Sequence, residues 1–341
     1  MVLVILPQKH RVEIADDVMR AGQLAAALEV CGWPKPGNVH RTTDFPDTRF
    51  EHFIAGSISL GPTIRDSALR GMAAEVGEVK MGEIGIGGLI KRAVLDMRTW
   101  HKGENTHLGV ILLFMPIAVA AGMTLASLKS IDVTSLRESF VRVMGSTGCE
   151  DAVEVYDAIV LANPGGLGKV KGGKAPDLTS EGAKRELVER GLTLHDVMRV
   201  SAAWDTIARE LTTALQITLN TGYPTLQNTY VQTRDINITT VHTYLKLLSL
   251  FPDTFVARNV GLKYTSEISK AVEIGMKKAR EISIRAERIL QLGGLTTPEG
   301  REALFEFDKE LRRQGKELSP GTTADLTAAS LMIALLCGLR F

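Results

Sequence analysis

The segment from Leu108 to Leu128 constrains the fold more than any other part of the sequence, because it carries no charged side chain. It is long enough to cross a lipid bilayer. However, Gly109, Pro116 and Gly122 interrupt it, no second segment is comparable, and the rest of the chain has the composition of soluble helices. A helix that is apolar on every face is buried either in lipid or in a protein core. We therefore expect a central buried helix and no membrane association.

Three polar residues, Asn105, Thr106 and His107, stand directly before this apolar run and place an amide, a hydroxyl and an imidazole side by side. The first N–H groups of a helix have no partner within the helix, and the helix dipole favours anions there. Such a helix start can hold a phosphate group. The simpler alternative is that Asn105 or Thr106 only caps a core helix, and this stretch taken alone favours that alternative.

The charges in the sequence nearly cancel, since 40 Lys and Arg stand against 39 Asp and Glu in 341 residues. This balance creates no basic field, so we expect no nucleic-acid partner. The three cysteines form no CxxC pair, which indicates a reduced, cytoplasmic protein without a zinc ribbon. The apolar start Met1–Leu6 lacks the basic residues of a signal peptide. We predict one domain over residues 1–341 with an extended or disordered N-terminus over residues 1–8, and the composition allows a homodimer.

Apolar residues recur at helical spacing along most of the chain, whereas the alternation typical of strands is rare. Helical patterns cover residues 14–28, 89–98, 132–144, 151–161, 235–250, 265–292 and 326–336. Helices without a sheet must bury their apolar faces against one another. We therefore predict an all-α fold, a single multi-helix globular domain with a central buried helix.

Three capping boxes, at Thr48–Glu51, Thr193–Asp196 and Thr322–Asp325, predict helix starts. One stripe of the second helix would carry Leu194, Met198, Ser201, Asp205 and Ala208. A carboxylate among apolar positions is costly to bury unless something pairs with it. An ion pair with Arg209, four residues later, is the structural explanation for Asp205. Contact with a metal or a substrate hydroxyl is the functional alternative, which we favour.

Two glycine-rich segments are candidate phosphate loops. The loop Asn163–Lys174 combines accessible backbone N–H groups with lysines, which suits a mobile phosphate clamp, although a solvated surface loop explains its composition equally well. The segment Gly82–Gly88 lacks the Lys-Ser/Thr pair of a P-loop and a preceding strand. A helix start or a close helix crossing is therefore the better interpretation of Gly82–Gly88.

Five motifs, taken together and in this order, resemble those of the triphosphoribosyl-dephospho-coenzyme A synthase family. They are Lys35–His40, Asn105–Gly109, Leu161–Gly168, Trp204–Ala208 and Ser319–Leu326. The resemblance runs from about Ile14 to the last residue and is closest to a divergent, archaeal-type branch. Lys102–Glu104 stands where the citrate-lyase and malonate-decarboxylase enzymes have Gly-Gly-Val, and Thr322–Thr323 stands where they tend to have Gly-Ser. These departures concern the acceptor rather than ATP.

The resemblance implies that ATP donates its ribose to the 2′-hydroxyl of 3′-dephospho-coenzyme A, with release of adenine. The triphosphate stays on the transferred sugar, so the reaction is glycosyl transfer at C1 and needs no Walker motif. Four requirements follow: Mg²⁺ and basic groups or helix starts for the triphosphate, a hydrogen bond to the departing adenine, a carboxylate beside the positive ribose, and a base for the acceptor hydroxyl.

Residues in or near the motifs are assigned to these requirements as hypotheses. For the phosphates they are Lys35, Gly37, Asn38, His40, Asn105, Thr106, Asn163, Gly165, Gly166, Arg209, Arg258, Gly321 and Thr322. For the metal they are Asp205, Asp325 and Asp44, with Asp235 as a lesser candidate. For catalysis they are Asp205 and Asp325 as carboxylates and His107 for proton transfer.

Two other functions remain open at this stage. A related enzyme could transfer the same sugar from ATP, or from another phosphoribosyl donor, to a different alcohol or to water. A non-catalytic helical ligand-binding protein is the further alternative, against which the many polar residues at predicted helix starts argue.

Overall fold

The computed structural model describes residues 8–165, 167–170, 175–178 and 180–341, and helices dominate these ranges. In chain order the helices are α1 (Gln8–Cys31), α2 (Phe50–Ser59), α3 (Gly61–Glu75), α4 (Ile86–Trp100), α5 (Leu108–Ser127), α6 (Val133–Gly145), α7 (Cys149–Ala162), α8 (Ala183–Glu189), α9 (Leu194–Ser201), α10 (Thr206–Thr212), α11 (Tyr223–Thr233), α12 (Ile236–Leu250), α13 (Thr254–Gly261), α14 (Ile268–Gln291), α15 (Pro298–Gln314) and α16 (Gly321–Leu336). Within the described ranges, β structure is limited to isolated bridges. The all-α prediction is therefore confirmed.

Helix α5 is the central buried helix that the apolar run predicts. It contacts α1, α3, α4, α6, α10 and α16. By length and hydropathy it is the one helix of the described chain that could cross a membrane, yet 89% of its most apolar window is buried inside the protein. Its composition is thus accounted for by burial among other helices.

Glycines allow α3 and α5 to cross at very short range. A Cβ atom added to Gly122 would lie 2.0 Å from the carbonyl oxygen of Ala68, and one added to Gly71 would lie 2.1 Å from the carbonyl oxygen of Val119. Any side chain at either position would push the two backbones apart. Gly122, which interrupts the apolar run in the sequence, is therefore explained by helix packing.

The buried apolar side chains form two clusters rather than one. The larger is built mainly on α1, α3, α4, α5, α6, α7 and α16. The smaller is built on α12, α13, α14 and α15. Ala324 belongs to the smaller cluster and Leu326 to the larger one, so Asp325 in α16 lies between the two cores.

The predicted helix starts are confirmed in part. Thr193 and Asp196 form the predicted capping box of α9. At the first box the prediction is wrong, because α2 begins at Phe50 and the Thr48 hydroxyl instead donates to Asp47. It is also wrong at the third box, since α16 begins at Gly321 and Thr322 is already inside the helix.

The predicted stripe through Asp205 is wrong because the helix is interrupted. Helix α9 ends at Ser201, and Asp205 is the N-cap residue of the separate helix α10, where its Oδ1 accepts from the N–H of Ala208 at 3.0 Å. Capping of a new helix, rather than a position on an apolar stripe, thus explains the carboxylate locally.

Two other local predictions can be compared with the structure. Gly85 adopts a left-handed conformation (φ 71°) directly before α4, and a Cβ on Gly87 would lie 2.4 Å from the carbonyl oxygen of Asp151 in α7. Both the helix start and the close crossing predicted for Gly82–Gly88 are therefore present. Gln8 already belongs to α1, so the predicted extended segment does not include it, and residues 1–7 lie outside the described ranges.

Candidate active site

A cavity of about 220 Å³ is lined by residues from both hydrophobic clusters. Its polar lining consists of Glu29, Asn38, Thr48, Asn105, Thr106, His107, Asp205, Arg258, Lys316, Ser319, Thr322 and Asp325. Among the predicted site residues, the cavity brings together Asn38, Asn105, Thr106, His107, Asp205, Arg258, Gly321, Thr322 and Asp325. Residues far apart in the sequence thus meet at one place.

Three helix starts supply most of this lining. Asn105 precedes α5 and its Oδ1 accepts from the N–H of Leu108 at 3.0 Å, Asp205 caps α10, and Thr322 lies in the first turn of α16. The α5 helix contacts both α10 and α16, which holds the three starts close together. Several first-turn N–H groups are already paired, such as that of Leu108 with Asn105 and that of Thr323 with Asp253. The positive ends of the helix dipoles and the remaining N–H groups make such a place favourable for phosphate groups.

Asp325 is the most isolated charge in the cavity wall. It is largely buried beside Gly109, with part of its surface open to the cavity, and a Cβ atom added to Gly109 would lie 2.0 Å from its Oδ2. It accepts a hydrogen bond from the backbone N–H of Val110. Burial is the largest cause that raises the pKa of Asp325 well above its usual range. The negative charges of the nearby Glu29, Asp253 and Asp205 raise it further. Across the described chain, no Lys or Arg forms an ion pair with Asp325. A cation is therefore the group that this arrangement lacks.

Asp205 has a basic partner, Arg258, which differs from the Arg209 of the structural alternative. Its Oδ2 lies 3.5 Å from an Nη atom of Arg258, whose guanidinium packs over the ring of Phe255 with its central carbon 5.1 Å from the ring centroid. Arg209, predicted to bind phosphate and considered as the structural partner of Asp205, is exposed on α10 and does not line the cavity. The Nε of Arg258 is buried without a hydrogen-bond partner among the described residues, and this leaves a donor free for a ligand.

Lys35 is placed behind the cavity rather than in its wall. Its ammonium group is completely buried, bonds to the carboxylate of Glu29, and donates to the backbone oxygen of Glu29 at 3.1 Å. Burial raises the pKa of the Glu29 carboxyl, and the charge of Lys35 opposes that rise. Glu29 faces the cavity in place of Lys35, so direct phosphate contact by Lys35, predicted from the sequence, is not what the structure shows.

The other members of the Lys35–His40 motif hold the loop in shape. Asp308 of α15 accepts from the N–H of Gly37 at 2.8 Å, lies 3.2 Å from Nε2 of His40, and accepts from Nε of Arg312 at 2.9 Å. Although burial acts to raise the pKa of Asp308, the hydrogen bonds and charges of His40 and Arg312 hold it below the usual range. Gly37 and His40 are therefore structural, whereas Asn38 lines the cavity.

Several predicted residues lie away from the cavity. Asp44 accepts from the N–H of Phe50 at the start of α2, and Asp235 caps α12. Asn163, in a left-handed conformation, ends α7 and is exposed, as is Gly165. Pro164 and Leu167 of the same loop do line the cavity. Gly166, also predicted to bind phosphate, lies outside the described residues.

His107 is held as a neutral imidazole. Its Nδ1 lies 2.7 Å from Oγ1 of Thr106, and its ring centroid is 5.4 Å from that of Phe53. Burial, and to a smaller extent the charges of His101 and Lys35, lower the pKa of His107 to about 3. Its Nε2 is buried and has no hydrogen-bond partner among the described residues. This atom is thus available to a ligand in the cavity.

We expect the pKa of His107 to make the fold sensitive to acid. The folded pKa of about 3 lies below the usual 6.5, so the unfolded chain takes up the proton first and the contribution of His107 to stability is lost as the pH falls from 6.5 towards 3. As the pH falls from 6.5 towards 3, the free energy of unfolding of the wild type should decrease by up to about 4 kcal/mol more than that of His107→Gln. Urea unfolding of both proteins at pH 7, 5 and 4 measures the difference. Parallel losses in the two proteins would contradict the assignment.

Two charged cavity residues, Glu29 and Lys316, are not among the residues predicted from the sequence. Glu29 lies inside α1 with no motif around it. Lys316 lies before α16, and its Nζ contacts Oγ1 of Thr48 at 2.8 Å and carboxylates of Asp47 and Glu104 at 2.7 Å each. Lys316 sits three residues before the Ser319–Leu326 motif, and proximity to that motif was the one signal that could have indicated it.

Comparisons with known proteins show the family to which the chain belongs. A 2-(5''-triphosphoribosyl)-3'-dephosphocoenzyme-A synthase of Klebsiella pneumoniae is 23% identical over 327 residues, which are 94% of this chain and 91% of that protein. A crystal structure described as a candidate triphosphoribosyl-dephospho-CoA synthase from Archaeoglobus fulgidus has the same fold, with a TM-score of 0.57, 23% identity, and coverage of 84% of this chain and 100% of its own. The model of the ATP:dephospho-CoA triphosphoribosyl transferase family matches residues 15–340, and because this match spans nearly the whole sequence, the chain belongs to that family of enzymes.

Proposed function

We propose that this protein transfers the 5-triphosphoribosyl group of ATP to the 2′-hydroxyl of 3′-dephospho-CoA and releases adenine. The observation that carries the proposal is the convergence of three helix starts and of Asp205, Arg258 and Asp325 on one cavity. Family membership supplies the two substrates. We expect the reaction to take place in the cytoplasm, and a homodimer remains a prediction.

The triphosphate is the part of ATP that suits the helix starts. Backbone N–H groups before α5 and α16, the amide of Asn38 and the hydroxyl of Thr322 would contact its oxygens. The cavity of about 220 Å³ is smaller than the ~300–1,000 Å³ of typical ligand sites, so part of its wall must move. We expect Arg258 to leave Asp205 and bind a phosphate oxygen, because the pair is separated by 3.5 Å and the Nε of Arg258 is free.

The donor chemistry of the cavity fits Mg²⁺ bound together with phosphate. No three or more His, Cys, Asp or Glu side chains in the described ranges are arranged to hold a metal by themselves. Protein sites for Mg²⁺, however, often use only one or two carboxylates and take the remaining ligands from water and substrate phosphates. Asp325, which lacks a cationic partner, and Asp205 would hold the ion, and when bound it would neutralise phosphate charge.

Two steps then depend on residues of the chain. Breaking the bond between C1 of the ribose and adenine leaves positive charge on the sugar, which a buried carboxylate stabilises, and Asp205 and Asp325 are the candidates. The new bond to C1 requires that the acceptor hydroxyl lose its proton. His107 is the candidate base, because its neutral ring lines the cavity and its Nε2 has no partner in the described structure.

The proposal is tested by incubating the purified protein with ATP and MgCl₂, with and without 3′-dephospho-CoA. Adenine is measured by liquid chromatography and the coupled product by mass spectrometry. Adenine released only with 3′-dephospho-CoA, together with a product carrying the triphosphoribosyl group, supports the proposal. Adenine released at the same rate without an acceptor would replace it with hydrolysis.

One contact favours a different alcohol as the second candidate acceptor. Glu104, which belongs to the segment that departs from the citrate-lyase enzymes, pairs with Lys316 at 2.7 Å in the cavity wall. This pair neutralises a cation that could otherwise bind a phosphate of the acceptor. Release of adenine with another alcohol of the coenzyme A type, but not with 3′-dephospho-CoA, would support this alternative.

Replacing Asp205 with asparagine is expected to remove activity without removing the helix cap. Asparagine caps helices about as well as aspartate, so the bond to the N–H of Ala208 is kept while the charge beside Arg258 is lost. We expect adenine release to fall by about 10²–10³-fold with an unchanged helical circular dichroism spectrum. Asp205→Ala should lose about 1 kcal/mol of stability in addition, because it removes the cap. Near-normal release by Asp205→Asn would remove Asp205 from the catalytic residues.

A further inference from the structure

A row of hydrogen-bonding side chains leads from the cavity wall into the segment before α5. Nδ1 of His107 lies 2.7 Å from Oγ1 of Thr106, which in turn lies 3.2 Å from Nε2 of His101. All three side chains are buried. The atoms at the two ends of the row, Nε2 of His107 and Nδ1 of His101, have no hydrogen-bond partner among the described residues.

The hydroxyl of Thr106 couples the protonation of the two rings, because it has a single proton to donate. If it donates to His101, it accepts from His107, and both rings then carry their proton on Nδ1. If it donates to His107, it accepts from His101, and both rings carry their proton on Nε2. The two neutral histidines must therefore share the same tautomer. Only the first arrangement leaves Nε2 of His107 able to accept a proton.

We propose that Thr106 relays the proton of the acceptor hydroxyl from His107 to His101. This inference rests on the proposed function, in which His107 is the base. As the acceptor oxygen bonds to C1 of the ribose, its O–H bond breaks and the proton goes to Nε2 of His107. The Nδ1 proton of His107 passes to the Thr106 oxygen, and the Thr106 hydroxyl proton passes to Nε2 of His101. The electron pair of the broken bond between the sugar and adenine leaves with adenine, which takes a proton from a water molecule, and His101 then gives up its extra proton to the hydroxide left behind.

The relay explains how a deeply buried imidazole can act as a base. Burial holds the pKa of His107 at about 3, so a lasting positive charge on this ring is unfavourable. In the relay His107 ends neutral, and the charge arrives on His101, which is 9% exposed compared with 2% for His107. Burial, followed by the charge of His52, whose stacked ring has its centroid 5.3 Å away, and that of Arg98, lowers the pKa of His101 as well, so His101 holds the proton only in passing. The transfer therefore moves the proton towards the surface.

Glycines make room for the rings of this row. A Cβ atom on Gly56 of α2 would lie 2.5 Å from Nδ1 of His107 and 3.2 Å from Oγ1 of Thr106. A Cβ atom on Gly103 would lie 2.2 Å from Nδ1 of His52, whose ring stacks on His101. The backbone at Gly56 thus packs closely against His107 and Thr106, and the backbone at Gly103 packs against the His52 ring that stacks on His101. These contacts hold the three side chains of the relay in position.

The kinetic test compares Thr106→Val, which keeps the shape but removes the hydroxyl, with Thr106→Ser, which keeps the hydroxyl. We expect kcat for adenine release with acceptor to fall by about 10²-fold or more in Thr106→Val with little change in KM for ATP, and Thr106→Ser to retain most of the activity. His101→Phe, which keeps the stacked ring, should resemble Thr106→Val. Thr124→Val removes a buried hydroxyl of α5 away from the cavity and should leave kcat unchanged.

A second measurement separates failure of the relay from failure of the proposed function. The ¹⁵N chemical shifts of the histidine rings report their tautomers, and in the wild type we expect the same tautomer for His101 and His107, with that link lost in Thr106→Val. Different tautomers in the wild type, an unchanged kcat in Thr106→Val, or equal losses in Thr106→Val and Thr106→Ser would each overturn the relay. Absence of adenine release by the wild type with 3′-dephospho-CoA would instead overturn the proposed function.

Discussion

Replacing Asp325 with asparagine is expected to abolish adenine release and, at the same time, to make the ligand-free protein more stable. The carboxylate lies between two hydrophobic cores with other carboxylates near it and without a basic partner in the described chain. Asparagine has a similar shape and no charge. We expect kcat to fall by about 10³-fold and the free energy of unfolding at pH 7 to rise by about 1–2 kcal/mol.

The gain in stability should depend on pH in a defined direction. The pKa of Asp325 in the folded protein is raised above its usual 3.8, so the folded state keeps the proton that the unfolded chain loses, and the wild type loses stability as the pH rises above 3.8. The difference between Asp325→Asn and wild type should therefore grow from acidic to neutral pH. Urea unfolding at pH 4 and pH 7, without nucleotide, measures it.

The same substitution at Asp308 is a matched control with the opposite sign. Asp308 is buried too, but its bonds to His40 and Arg312 hold its pKa below the usual range. Asp308→Asn breaks this network and should destabilise the protein by about 3 kcal/mol. If Asp325→Asn destabilises the protein to a similar extent, a basic group pairs with Asp325 in the ligand-free protein.

A single methyl group at Gly109 is expected to inactivate the enzyme. The Cβ atom of alanine would lie 2.0 Å from Oδ2 and 2.5 Å from Cγ of Asp325, which is closer than non-bonded atoms approach. Either the carboxylate moves or α5 and α16 separate. We expect Gly109→Ala to lower kcat by about 10²-fold or more and to lose about 1–3 kcal/mol of stability.

Two further variants show whether the effect acts through Asp325. Gly88→Ala, near the start of α4, meets no atom within 4 Å, so it should keep activity and gain up to about 1 kcal/mol. Gly109→Ala combined with Asp325→Ala should recover the stability lost in Gly109→Ala, because the clash is removed, while staying inactive. An active Gly109→Ala enzyme would show that the position of Asp325 is not needed for the reaction.

The fold class could be predicted because its cause is local in the sequence. The uncharged run from Leu108 and the helical periodicity elsewhere indicate buried and amphipathic helices whatever their arrangement. Helix boundaries depend on more than local pattern. The break between α9 and α10 falls within Ser201–Asp205, a stretch without Gly or Pro, so the periodicity appeared to continue through Asp205.

The members of the site could be predicted better than their contacts. Asn105 and Asp325 are identified by their chemistry at predicted helix starts and Asp205 as a carboxylate among apolar positions of a predicted helix, and the structure brings all three to one cavity. Spacing along separate helices carries no information about distance between them. For this reason the sequence predicts phosphate contact for Lys35, although Glu29 covers it, and offers Arg209 as the structural alternative for pairing with Asp205, where Arg258 lies.

The position of α16 has a consequence for how the chain is made. The apolar helix α5 packs against α16, which follows on the order of 190 residues later along the chain. At the usual speed of protein synthesis that distance corresponds to roughly 10–40 s. During this interval the face of α5 that packs against α16 stays uncovered on the nascent chain, which favours transient non-native contacts and aggregation until α16 has been translated.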